Sequence, residues 1–333
     1  MELVLQTEES DSNGPCRGVR ADAAARHRRP GARRTRRKYV FRLTAAGLTA
    51  CALATGCAAQ GGGSHPVRPA PGGPPLKVPA ARALRAYAAH LKIRQIQRAA
   101  VAKRWGVAKV PILPPRPPTK KPVIKPGKRL WVHDQKKLGL PPVFARVPTK
   151  DKIVFLTIDD GWDKDRKFVK MMNELKIPYS AFLTNDAVKD DYGYYKKVQR
   201  AGDVLGNHTL HHRYLPALSY AQQKHEICGM QKIMKKRYGK RPVMFRPPYG
   251  NYNQDTLKAA KACGIKYVPL WEAEVFAKTV DYGEDDQKLH PGDIILTHFN
   301  HLDLKGSMED MVRNLLKRIT AKGYAVARLE DYL

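Results

Sequence analysis

Asp159 and Asp160 are adjacent carboxylates that close an apolar, β-branched run, Ile153 to Ile158. Such a run reads as a strand buried on both faces. Its carboxyl end is where parallel β/α folds collect reactive groups. Further on stand His208, Thr209, Leu210, His211 and His212. Histidines four apart share one face of a helical turn. Two imidazoles with one carboxylate suit a divalent metal that keeps positions open for water and substrate. His211 is expected to point elsewhere, and ordinary surface histidines are the alternative for the cluster. In Arg246-Pro247-Pro248-Tyr249-Gly250 two prolines stiffen the chain, and Gly250 permits dihedrals other residues avoid. Such a loop can aim the Tyr249 backbone N–H at a developing oxyanion, or serve only as a turn. Ile294 to Thr297 reads as another buried strand with His298 at its end. A lone histidine there can be structural or catalytic.

The elements that must position these groups alternate. Helical patterns over 168–175 and 194–200 separate strand-like runs at 153–158, 179–184 and 294–298, as parallel β/α units require. Trp162, just past the Asp-Asp-Gly turn, fits either a sugar groove or the core. Cys228 and Cys263 are read as lying on helices, and they fit either a disulfide or two buried thiols.

The N-terminal half has a different character. The chain has 333 residues and a formal net charge of +31, most of it in the first 150 residues. That asymmetry argues against a chain-wide nucleic-acid binder, and no nucleic-acid partner is expected. Residues 1–57 read as an export signal: an arginine cluster, an apolar stretch from Leu43 to Gly56, and a lipobox-like Cys57. Cys51 is a second lipobox candidate, and Thr35 to Phe41 is similar to a twin-arginine motif, with Sec export the alternative. Residues 58–128 read as a Gly/Pro-rich, basic linker with a helix near 80–105 and an extended proline spacer over 110–127. The globular domain is expected over 129–333.

Asp-Asp-Gly after a strand, His-Thr-x-x-His, Arg-Pro-Pro-Tyr-Gly and a strand-end histidine, in that order, resemble the polysaccharide deacetylases. That family carries the NodB homology domain and is also known as carbohydrate esterase family 4. The resemblance covers about residues 150–333. It implies an α/β fold, a distorted (β/α)7 barrel, here preceded by a disordered or helical N-terminal region. It also implies roles. Asp159 would be the general base, held by Arg246, and Asp160, His208 and His212 would hold zinc, with cobalt or nickel possible. Thr209 would steady the histidine loop, and the Tyr249 N–H would bind the oxyanion. His298 would be the general acid, and Leu296 would line the acetate pocket. Trp162 and Trp271 would contact substrate. Ile158 stands where the family often has Phe. The acid expected beside Trp271 to tune His298 is ambiguous here among Glu272, Glu274 and Asp281.

The activity implied is hydrolysis of N-acetyl groups from a cell-envelope polysaccharide by a monomer exported to the outer face of the cell membrane. There it would be held through a lipid on Cys57, or secreted. Peptidoglycan is the first substrate candidate and chitin-like chains the second. An O-acetyl xylan esterase is the alternative within the family, and a catalytically silent glycan-binding domain the alternative outside it.

Overall fold

The computed structural model describes residues 78–127 and 132–333. The export signal, Cys51, Cys57 and the Gly/Pro stretch up to residue 77 lie outside them. The strands are β1 Val143–Phe144, β2 Ile153–Asp160, β3 Ser180–Leu183, β4 Val204–Asn207, β5 Val268–Pro269, β6 Ala273–Val275, β7 Val280–Tyr282, β8 Ile294–His298 and β9 Ala325–Ala327. The helices are α1 Val78–Arg104, α2 Arg166–Leu175, α3 Asn185–Val188, α4 Tyr192–Arg200, α5 Tyr220–Tyr238, α6 Gln254–Ala262, α7 His301–Leu304 and α8 Met308–Ala321. No helix among the described residues is long and apolar enough to cross a membrane.

The expected β/α alternation is present. β2 is buried at every position and pairs in parallel with β3, β8 and β9. The sheet runs β4-β3-β2-β8-β6-β7, with only the β6–β7 pair antiparallel. β1 and β5 form a separate parallel pair. Isolated bridges join the two sheets: Asn207 to Phe245, Met244 to Tyr267 and Arg146 to Asp293. The two sheets are thus linked by single bridges and not by continuous ladders. Alternate residues face opposite ways along a strand. Ile153 and Phe155 therefore join Phe144, Phe182, Ile294 and Tyr332 in the inner cluster. Val154, Leu156 and Ile158 instead pack outward with α2 and α8.

The helices carry matching signals. α2 buries Phe168, Met171, Met172 and Leu175, and the Asp165 side chain caps its first turn. α5 starts with a reciprocal Ser219–Gln222 capping box and ends at Gly239 in the left-handed region.

The N-terminal boundary differs from the expectation. The helix covers Val78–Arg104, but the stretch read as a spacer is seated on the domain. Ala102, Trp105 and Val107 belong to the main core. Ile112 bridges to Ala325 of β9, the Gly127 N–H donates to Val143 O, and Lys121 donates to the Glu330 and Asp331 carbonyls. Prolines keep the stretch extended without a partner strand, and an extended chain can still lie across a barrel end.

Cys228 on α5 and Cys263, the residue that caps α6, form a disulfide between positions 35 apart in sequence. Closing a loop of that length stabilises the fold by about 3–4 kcal/mol on the chain-entropy account. The Cys228→Ser/Cys263→Ser double variant should lose about that much in denaturant unfolding. An unchanged midpoint and slope would show that the crosslink constrains nothing.

Candidate active site

The reactive residues meet at the carboxyl ends of β2, β4 and β8. Asp160 sits in the left-handed region at φ 73°, followed by Gly161 at φ 109°. A side chain at 161 would also meet Val188 at 2.5 Å, so only glycine allows this turn. The turn sends Asp159 and Asp160 into the same buried cleft.

His208 and His212 do not lie on a helical turn as expected. They lie in an irregular loop after β4, where Thr209 (φ 75°) and His212 (φ 53°) both take left-handed dihedrals. The loop brings the two rings to 4.9 Å between centroids by folding back on itself. Its supports are local and polar. Asn207 Oδ1 accepts from Thr209 N at 2.9 Å. Thr209 Oγ1 accepts from His212 N at 3.1 Å, and Thr184 Oγ1 donates to His208 O at 2.8 Å. From α5, the buried Glu226 carboxylate accepts from the N–H groups of Leu210 and His211 and from the His211 ring. His211 therefore points away from the cleft, as expected. Sequence reasoning missed Asn207, Thr184 and Glu226. The signal for Glu226 was present: it falls on the buried stripe of α5 with Gln223, Ile227, Met230 and Met234.

Asp160 Oδ1 lies 3.4 Å from His212 Nε2 and 3.7 Å from His208 Nε2. His208 Nδ1 is 2.7 Å from the Arg246 carbonyl. A carbonyl only accepts, so Nδ1 carries the proton and Nε2 presents its lone pair to the cleft. Burial holds His208 down to about 3, and burial together with His208 holds His212 down to about 4. Both rings are thus in the neutral form that binds metals. Burial also pushes Asp160 up to about 7, and its Oδ1 has no hydrogen-bond partner. An orphaned buried carboxylate oxygen facing two neutral imidazoles fits a divalent cation.

Asp159 is held from the other side. Arg246 Nη1 donates to its Oδ1 at 2.8 Å, both side chains being buried. Nε and Nη2 donate to the Pro269 and Leu270 carbonyls, and the guanidinium lies over the Phe182 ring. Burial raises the Asp159 carboxyl, with Arg246 pulling against it. Trp271 also neighbours the guanidinium, and a side chain at Gly250 would press on its ring at 2.9 Å. Trp271 thus packs within the site's frame instead of standing free. Tyr249 has φ 60°, and its exposed ring meets His212 at 4.7 Å. Trp162 is 51% exposed, which removes the core alternative. Leu296 is buried on β8, two residues before His298 and on the same face.

The acid beside His298 is Glu274, whose Oε1 lies 3.2 Å from Nδ1. In the β6–β8 pairing Glu274 stands opposite Leu296, which puts it on the His298 face. Burial alone would lower His298. The Glu274 hydrogen bond and the charges of Asp159, Asp160 and Glu274 prevail and raise it to about 9.

The family profile described as polysaccharide deacetylase matches residues 146–268. An uncharacterized protein of Streptomyces coelicolor is 40% identical over 195 residues, 58% of this chain and 78% of its own length. The chain belongs to the polysaccharide deacetylase family. Among its relatives, a peptidoglycan-N-acetylmuramic acid deacetylase of Bacillus subtilis is 26% identical, covering 56% of this chain and 73% of its own. A solved peptidoglycan N-acetylglucosamine deacetylase shares the fold at TM-score 0.53 and 23% identity, covering 61% of this chain and 97% of its own. The chain is accordingly a deacetylase-class hydrolase with an α/β fold of the NodB type.

In this polysaccharide deacetylase, NMR titration of the His298 imidazole in metal-free protein should give a pKa near 9. Glu274→Gln should lower it by about one to two units, because the carboxylate charge is lost while the packing remains. An unchanged value in the variant would show that Glu274 does not hold the proton.

Proposed function

We propose that this enzyme removes N-acetyl groups from a cell-envelope polysaccharide, with peptidoglycan N-acetylglucosamine or N-acetylmuramic acid residues first and chitin-like chains second. The observation that carries the reading is the pairing of a base and an acid across one three-ligand cluster: Asp159 on Arg246, and His298 on Glu274. Zinc, or else cobalt or nickel, would be held by Asp160, His208 and His212. When bound, it lowers the pKa of a water and polarises the acetyl carbonyl.

The protein groups do the rest. Asp159 takes the proton of the attacking water, and Arg246 keeps its reactive oxygen oriented. The Tyr249 backbone N–H donates to the oxyanion that forms at the former carbonyl, where one such donor contributes about 3–4 kcal/mol. Leu296 supplies an apolar floor for the acetyl methyl. His298 protonates the departing sugar nitrogen, because an amine anion is too poor a leaving group at neutral pH. The Glu274 carboxylate 3.2 Å from its Nδ1 favours the protonated ring that this step needs. Acetate and a free amine result. Trp162 lies beside the cleft as a sugar-stacking face. Export and attachment through an acylated Cys57 belong to the same reading, supported by the charged, apolar and cysteine-ended order of residues 28–57.

Acetate release from peptidoglycan, chitin oligomers and acetylated xylan tests it. The enzyme should release acetate from an N-acetylated glycan, and Asp159→Asn should lower the rate by about 10²–10⁴ with the fold intact. Acetate from xylan alone would make it an esterase. None from any substrate would leave a glycan-binding domain.

A further inference from the structure

α1 is 27 residues long, about 40 Å, and only its last two turns are anchored, through Arg98 on the Pro111 carbonyl and through Ala102 and the following Trp105 and Val107 in the core. Every residue from 82 to 97 is exposed. These include Leu84, Tyr87, Leu91, Ile93 and Ile96, each 46–62% exposed. An isolated helix of this kind is marginal in water, where helices are normally sustained by packing an apolar face. Leu84, Tyr87 and Leu91 follow one another at three- and four-residue steps, on the stripe that Ala102 and Trp105 continue into the core. Arg82, Arg85 and Lys92 share the opposite side with Ile93 and Ile96, Arg94 lies beside the stripe and Arg98 on it, so apolar and basic side chains alternate around the helix. The helix has no Asp or Glu, and the whole chain has none between Asp22 and Asp134.

We infer that α1 lies on an anionic lipid surface, with its exposed apolar side chains in the headgroup–acyl boundary and its lysines and arginines on lipid phosphates. Charge complementarity selects the partner. A second copy would set two cationic helices with no carboxylates side by side, which repels. A soluble polyanion would neutralise the cations but leave the leucines and tyrosine in water. An anionic bilayer satisfies both, since each Lys or Arg near the surface adds attraction and the apolar side chains add burial. The inference stands on α1 alone and is independent of both the deacetylase reading and the cysteine at 57.

Hydrogen exchange followed by mass spectrometry on the full chain reads this helix directly, whatever other basic segments do. Vesicles with one-third phosphatidylglycerol in phosphatidylcholine should slow exchange over residues 82–97 at least tenfold. Pure phosphatidylcholine and soluble polyphosphate should leave it unchanged. The slowing should be lost in Arg82→Gln/Arg85→Gln/Lys92→Gln/Arg94→Gln and in Leu84→Gln/Tyr87→Gln/Leu91→Gln, with catalytic rate on a soluble substrate unaltered. Equal slowing by polyphosphate, slowing that grows with protein concentration alone, no slowing at all, or slowing that survives in either variant would overturn the proposal.

Discussion

The buried guanidinium of Arg246 is the interaction on which the site depends. It sits fully buried, with two arms donating to the Pro269 and Leu270 carbonyls and the third to Asp159. A charge taken out of water needs such satisfaction, and deleting one partner of a buried pair typically costs about 3–5 kcal/mol. Its backbone is equally committed. The Arg246 N–H donates to Asn207 O, and its carbonyl fixes the His208 tautomer. One residue therefore holds the Asp159 carboxylate, orients a metal-ligand candidate, and ties β4 to the loop after β5 where the sheets share only isolated bridges.

Two opposed electrostatic settings follow. On one side, burial keeps His208 and His212 neutral, which leaves Asp160 facing neutral rings instead of cations. On the other side, a carboxylate at hydrogen-bond distance keeps His298 charged. Three imidazoles within one cleft thus take two protonation states: burial outweighs the Arg246 carbonyl at His208 and adds to the neighbouring ring at His212, whereas Glu274 and the nearby carboxylates outweigh burial at His298. That separation places neutral and charged imidazoles in a single cleft at the same pH, as the proposed chemistry requires.

Much of this was legible in the sequence, for identifiable reasons. The β2 run, the Asp-Asp-Gly turn and the strand-end His298 are local signals, so their places could be read directly. Arg246 and Asp159 were paired through family resemblance, and the structure brings them to 2.8 Å. The histidine loop was misread as helical because an i,i+4 spacing is compatible with a helix, while the left-handed dihedrals at Thr209 and His212 leave no mark in residue type. Glu274 could not be separated from Glu272 and Asp281 because the choice depends on strand register between β6 and β8. The proline stretch read as a spacer for a similar reason: what holds it is β9 and the C-terminal carbonyls, far away in sequence. Cys228 and Cys263 likewise needed the α5–α6 packing to be joined.

The central claim is that Asp160, His208 and His212 form one divalent-metal centre on which Asp159 acts. Metal-stripped full-length protein titrated with zinc, with bound zinc and released acetate measured in the same aliquots, tests it most directly. The account predicts that acetate release is absent without metal, rises in proportion to bound zinc and saturates at one per chain. Undiminished acetate release from the metal-stripped protein would contradict it, as would a metal stoichiometry unrelated to the rate.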